Sequence, residues 1–168
     1  FSRSIVSFED GDIRSLPSFQ ESEAMIRQYH GAFEGRFLMD MSLHAEYTNR
    51  VSIMEQFAQA AKDHNLRVQI HLSETKKEHE ECKQRHGGFT PAQVFAKAGV
   101  LDQPTVAAHC VWVEDRDMEL MAEKGVTVAT CPASNLKLGS GVCNLPELRK
   151  HGVKIAIGTD SAASNNNL

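Results

Sequence analysis

Gln69-Ile70-His71-Leu72-Ser73-Glu74 alternates polar and apolar side chains and then stops on a carboxylate. Alternation at every second position describes a half-buried strand, and Ser73-Glu74 opens a polar turn ahead of a charged helical stretch over 75–85. Outward in both directions, short segments rich in β-branched or apolar residues recur at 37–43, 104–110, 126–130 and 153–159. With the strand at 67–72 they make five units of alternating β and α. Consecutive crossovers of this kind are right-handed, which sets neighbouring strands parallel and lays helices over one side of a curved sheet. A doubly wound sheet gives a similar order of elements; where the polar residues sit separates the two.

The helices carry their own punctuation. Over 48–64, Ile53, Met54, Phe57, Ala58 and Ala61 recur at helical spacing after Thr48-Asn49, which gives one apolar face. Thr90-Pro91 sets a capping side chain ahead of a proline at the first helical position, and Gly99 closes that helix. Glu114 to Lys124 ends at Gly125 in the same manner. Asn144-Leu145-Pro146 starts a short helix whose Arg149-Lys150-His151 meet the negative end of the dipole before Gly152. An amphipathic stretch from Ser18 to His30 adds one helix ahead of the first strand.

At 168 residues the chain can bury one apolar core but falls short of the roughly 250 residues of a closed (β/α)8 barrel. A barrel read from this pattern is therefore incomplete, and a start at Phe1 with an end at Leu168 is expected of a piece of something longer. Hydrophobic residues at 41% and charged residues at 24% are globular usage and argue against a disordered chain. A net charge of −4 gives no footprint for nucleic acid or an anionic membrane, so a small neutral or polar substrate fits better. The apolar runs are too short for a membrane span and no signal peptide opens the chain. Cys82, Cys110, Cys131 and Cys143 form no C-x-x-C and read as reduced thiols, so a cytoplasmic protein is expected.

Three strands end in ionisable residues: His71 with Glu74, His109 in Val106-Ala-Ala-His109-Cys110, and Asp160 in Ile157-Gly-Thr-Asp160-Ser161. In a parallel α/β barrel that edge holds the active site, because the βα loops converge there on one mouth. A lone strand-end histidine is commonly a hydrogen-bonded structural residue, but three such groups on separate strands point to one pocket. Imidazole and carboxylate are also the ligand types of Zn²⁺ and similar borderline ions. Glu74, three residues past His71, has the reach of a proton shuttle; alone it reads equally as a helix-start acid favoured by the dipole.

The strings His71-Leu-Ser-Glu74, Ala107-Ala-His109-Cys110, Pro132-Ala-Ser-Asn-Leu-Lys-Leu-Gly-Ser-Gly141 and Gly158-Thr-Asp-Ser-Ala-Ala-Ser-Asn-Asn166 resemble, in order and spacing, the second half of amidohydrolase-superfamily deaminases. The S-adenosylhomocysteine and 5′-methylthioadenosine deaminase branch is the nearest likeness, with chlorohydrolase-like and guanine deaminase relatives beside it. The resemblance runs from about Arg3 to Leu168. It implies a partial (β/α)8 TIM barrel holding strands four to eight, with residues 1–168 the C-terminal part of the catalytic domain.

The resemblance further implies a metal-dependent hydrolase that deaminates a purine nucleoside, with zinc or another divalent transition metal such as iron as cofactor; a chlorohydrolase-like or guanine deaminase-like reaction, or a non-catalytic half-barrel fragment, is the alternative, and the strand-end residues do not distinguish the two reactions. His71 and Asp160 would be metal ligands, Asp160 also the base that takes a proton from water. Glu74 would protonate the ring nitrogen, and His109 would polarise the reacting groups or join the ligands. His44, Ser164 and Arg3 match positions that contact substrate. The superfamily's His-x-His pair has no counterpart, since no two of the eight histidines are separated by one residue. His30, His64, His79, His86 and His151 fall in or beside helices and read as surface or capping residues. The Pro132–Gly141 segment reads as a pocket-wall loop in which Asn135 bonds backbone groups. The chain alone, with sheet edges at 37–43 and 153–159, is expected to self-associate or to be completed by the missing half, and to be inactive by itself.

Overall fold

The computed structural model describes residues 2–165. Six strands form one parallel sheet: β1 Ser4–Ile5, β2 Met41–Leu43, β3 Val68–Leu72, β4 Thr105–His109, β5 Thr127–Thr130 and β6 Lys154–Ile157. Their order in space is their order in sequence, β1 to β6, without reversal. A doubly wound sheet reverses its strand order at the switch point. A sequential, all-parallel sheet with intervening helices is instead a stretch of (β/α)8 barrel. One row across it reads Ser4, Ser42, Gln69, Val106, Thr127 and Lys154.

The first sheet edge is therefore β1, and not the expected 37–43 strand. Two residues leave no periodic pattern to detect; β1 is recognised by its pairing with Ser42 and Leu43. The strand expected at 37–43 shortens to Met41–Leu43 because Phe37 turns back to bridge Ala32 in an antiparallel contact. The described chain thus holds six barrel strands where five were expected. The expected edge at 153–159 is present as β6.

The helices are α1 Pro17–Tyr29, α2 Val51–Asp63, α3 Lys76–Arg85, α4 Pro91–Lys97, α5 Asp115–Glu123, α6 Pro132–Lys137 and α7 Leu145–Lys150. In α2, Ile53, Met54, Phe57 and Ala61 are the buried face, so the helix is held by one apolar stripe. Full burial of a side chain such as Phe57 contributes about 1.5–3 kcal/mol. The Thr75 hydroxyl accepts from the Glu78 N–H to start α3, and Thr90 does the same for Gln93 ahead of Pro91 in α4. Gly99, at φ 79°, takes the left-handed conformation just past α4.

The Pro132–Gly141 segment, expected to be a loop, opens with the helix α6; Pro132 occupies its first position, where no N–H is needed. Along β3, Val68, Ile70 and Leu72 are buried and Gln69 and His71 half-buried. The buried set joins Phe57, Phe95 and Leu101 in one core, which leaves the intervening positions to face the other side of the pleat. Among the described residues no helix is long and apolar enough to cross a membrane.

Candidate active site at the strand ends

Three imidazoles stand in a row at the C-terminal edge of the sheet. The His44 and His71 ring centroids are 4.8 Å apart, and those of His71 and His109, nearly parallel, 5.4 Å. His44 directly follows β2, His71 lies in β3, and His109 ends β4, so parallel register alone brings them together. The His71 Nδ1 is 2.8 Å from the His44 carbonyl oxygen. A carbonyl can only accept, so that nitrogen carries a proton, and in the neutral ring Nε2 keeps its lone pair. Burial foremost, then the neighbouring His71, hold His44 below the ordinary imidazole value, with Glu74 opposing them.

His109 is 1% exposed, and its Nδ1 is 2.9 Å from Asn135 Oδ1. Its Nε2 is 3.7 Å from Glu74 Oε2. Glu74 itself sits on a turn pinned from below. The Glu78 carboxylate accepts from the Ser73 N–H at 3.1 Å and the Glu74 N–H at 2.9 Å, while the Ser73 carbonyl accepts from Val111 and Trp112. Burial pushes Glu78 up, and these N–H donors counter it. His79, expected to be a surface or capping residue, is buried beneath the turn. Its Nδ1 lies 3.1 Å from Ser73 Oγ and its Nε2 3.1 Å from Glu114 Oε1. The Glu114 carboxyl falls below its ordinary value through its bond from Lys83, then that from His79. The other four helix-associated histidines do close helices: His30, His64, His86 and His151 occupy the C-caps of α1, α2, α3 and α7.

Asp160 lies three residues beyond β6, with Oδ2 accepting from Ser134 Oγ at 2.6 Å and Oδ1 from the Ser161 N–H at 2.6 Å. Burial pushes this carboxyl up, but those two bonds and the nearby His109 and His71 outweigh it and leave it below the usual aspartate value. The backbone bends sharply at all these strand ends: Ser73, His109, Cys110 and Asp160 have φ of 45°, 69°, 51° and 63°. Left-handed φ is uncommon outside glycine, with histidine and aspartate among the more tolerant types.

Ser134 and Asn135 are adjacent on α6 and contact Asp160 and His109 respectively. The sequence reading gave Asn135 only backbone partners. A side-chain bond across 26 residues leaves no local pattern. Ser164 shares the turn after Asp160, its N–H bonding the Ser161 carbonyl. Arg3 is placed differently. It precedes β1, level by register with the N-terminal end of β2, and its exposed guanidinium pairs with Glu21 at 3.0 Å. The geometry therefore brings together His44, His71, Glu74 and His109 at the strand ends, with Asp160 and Ser164 on the turn after β6, and sets Arg3 at the opposite end of its strand.

Among the described residues, the one group whose three ligand atoms lie within 4.8 Å of one another is Glu46, Cys82 and His86; His71, His109 and Asp160 are spread wider. Arg85 and His86 already occupy the Glu46 carboxylate. Burial foremost, then Glu46, push the Cys82 thiol far up, away from the thiolate a metal needs. That cluster is an ion-paired anchor between the turn after β2 and the end of α3. The larger hollows also lie elsewhere: one of about 640 Å³ between the Gly87–Thr90 loop and α5, and one of about 800 Å³ beside β6. Neither collects the strand-end groups.

The amidohydrolase family model matches residues 7–168. A 5-methylthioadenosine/S-adenosylhomocysteine deaminase of Caldicellulosiruptor saccharolyticus is 46% identical over 157 residues, 94% of this chain and 36% of that protein. A 5′-deoxyadenosine deaminase of Methanothermobacter thermautotrophicus is 39% identical over 159 residues, 94% of this chain and 37% of that protein. The crystal structure of an adenosine deaminase from Xanthomonas campestris with bound zinc superposes with a TM-score of 0.86 at 28% identity, covering 99% of this chain and 38% of that one. This chain thus spans a little over a third of the length of the relatives it matches. With its sequential parallel sheet and its histidines and carboxylates at the strand ends, the chain belongs to the amidohydrolase family.

Proposed function

We propose that this chain supplies part of the active site of a metal-dependent deaminase acting on a purine nucleoside such as S-adenosylhomocysteine or 5′-methylthioadenosine. The observation that carries the reading is the stacked His71–His109 pair with Glu74 beside it, both rings bonded through Nδ1 to fixed oxygens. Their Nε2 atoms suit a borderline cation, because metal-binding histidines hold their second nitrogen on a carbonyl or carboxylate in this way. His71, His109 and Asp160 would hold zinc or iron once their ligand atoms, not all within 4.8 Å of one another here, draw together. The bound ion would bring the pKa of water toward neutrality. The names of the relatives support the nucleoside substrate.

The chain's own groups then divide the proton work. Asp160, held ionised by Ser134 and Ser161, takes a proton. Glu74 has Ser140 Oγ at 3.4 Å on one oxygen and His109 on the other, and it delivers a proton to the ring nitrogen beside the attacked carbon. His44 and Ser164 contact the substrate. Arg3 serves that role only in a conformation that leaves Glu21, so it is the weakest member of the set.

Residues 1–168 are read as the C-terminal part of the catalytic barrel, completed by the first strands or, in the isolated chain, by self-association through β6. A cytoplasmic setting suits the four free, buried cysteines. Ammonia release from 5′-methylthioadenosine by the intact enzyme, run beside metal analysis, tests the reading. Turnover with a stoichiometric divalent ion is expected. Metal-free preparations with full activity, or no release of ammonia from any purine nucleoside, would overturn it.

A further inference from the structure

Asn135 and His109 are each 1% exposed, so water cannot stand in for either partner of the bond between them. An imidazole nitrogen facing an amide oxygen must carry the proton, and one facing the amide NH₂ must lack it. The structure presents the oxygen, Oδ1, at 2.9 Å from His109 Nδ1. Glu74 gives an independent reading from the other side of the ring. An Nε2–H pointing at a carboxylate closes to about 2.7–2.9 Å, whereas Glu74 Oε2 stands off at 3.7 Å. At that distance the geometry shows no Nε2–H donated to Glu74. His71, stacked on the same ring, is fixed in the same sense by the His44 carbonyl.

We infer that Asn135 is a positioning residue that locks His109 in its Nδ1–H tautomer, so that His109 turns an unprotonated Nε2 to the mouth. The inference rests on the proposed deaminase site and sharpens it. Two roles were open to His109, polarising donor or ligand, and a bare Nε2 can only accept a proton or bind a cation. The helix α6 thereby sets two site groups with adjacent side chains, Ser134 on Asp160 and Asn135 on His109. Among the described residues no partner faces the buried Asn135 Nδ2, so the contact with His109 is the one side-chain bond that orients this amide.

The test reads the proton directly, without substrate or metal. The full chain, labelled with ¹⁵N at histidine and freed of metal by chelation, is studied by long-range ¹H–¹⁵N correlation at about pH 8.5, about two units above the ordinary imidazole pKa. His109 is assigned by the signal lost in His109→Gln. The expected result is a His109 proton on Nδ1, kept in Asn135→Asp, whose carboxylate still accepts, and shifted toward Nε2 in Asn135→Leu. A proton on Nε2 in the unmodified chain, or a tautomer unchanged in Asn135→Leu, would overturn the inference. If the leucine variant fails to fold, the unmodified chain and Asn135→Asp still decide. An intact enzyme that releases no ammonia counts against the deaminase reading and leaves this measurement standing.

Discussion

β3 and β6 are built from the same kind of sequence, a short apolar run that leads into an ionisable group, yet the sheet treats them differently. β3 lies between β2 and β4, paired with β4 at five positions, and alternates buried with half-buried residues. Among the described residues β6 pairs with β5 alone, and Ile157 is 66% exposed. A groove lined by Leu145, Pro146, Arg149, Val153, Ile155 and Ile157 runs along it. The candidate site residues follow suit. His71 is oriented by the adjoining strand end, through the His44 carbonyl, whereas Asp160 depends on Ser134 reaching over from α6 and on its own neighbour Ser161. Apolar pattern marks a strand; pairing on both sides is what buries it.

The largest effect expected on the β3 side is chemical. In the intact enzyme Glu74→Gln should lower turnover by about 10² to 10⁴-fold with metal content retained, since glutamine keeps the shape and cannot donate the proton. Near-normal turnover with an unchanged pH profile would remove Glu74 from the mechanism. Next comes packing. Leu72→Ala, at a fully buried β3 position, should cost about 2–5 kcal/mol in urea unfolding. Ile157→Ala in β6 should stay within about 0.5 kcal/mol. Equal costs would erase the contrast between the two strands. Ile157→Lys should leave unfolding unchanged and reduce self-association of the chain, read by size exclusion with light scattering. An assembly that persists would place the contact elsewhere.

Two smaller effects concern the support beneath Glu74. Thr75→Ala removes the side-chain cap of α3 and should cost about 1 kcal/mol. Thermal melts that match the unmodified chain would show the cap to be redundant. Glu114, held below its ordinary value of 4.5 by its bond from Lys83 and then that from His79, binds fewer protons folded than unfolded. Its contribution to stability is complete above pH 4.5 and fades as pH falls through the depressed folded value. Glu114→Gln should therefore flatten the acid limb of the stability curve below pH 4.5 and change its slope little above. An acid limb of unchanged slope would assign that loss to other carboxylates.

Much of this was legible in the sequence, for identifiable reasons. The strands at 67–72, 104–110 and 126–130 announce themselves because pleated, half-buried positions select apolar and β-branched residues, and the helix stops at Gly99 and Gly125 follow from φ of 79° and 67°. β1 was hidden because its two residues have no periodicity, and α6 because a motif rich in small polar residues looks like a loop until Pro132 is seen at its first turn. His71, Glu74 and His109 could be picked out as strand-end groups because each ends or follows a recognisable strand. His79 could not, because its burial is made by Ser73 and by Glu114, 35 residues away. Asn135 is a case of the same kind.

The bent backbone at the strand ends has a consequence for how this mouth tolerates change. Side chains branched at Cβ fit left-handed φ poorly, and holding a residue in such a sparsely populated region costs on the order of 1–3 kcal/mol. At Ser73, His109, Cys110 and Asp160, valine, isoleucine and threonine would be disfavoured by the path of the chain, whatever ligand the mouth receives. A saturation library selected only for folded, soluble protein should lose those three amino acids at these four positions while keeping glycine and asparagine. The shape of the mouth would then register as a constraint on heritable variation even in a population never asked to catalyse anything.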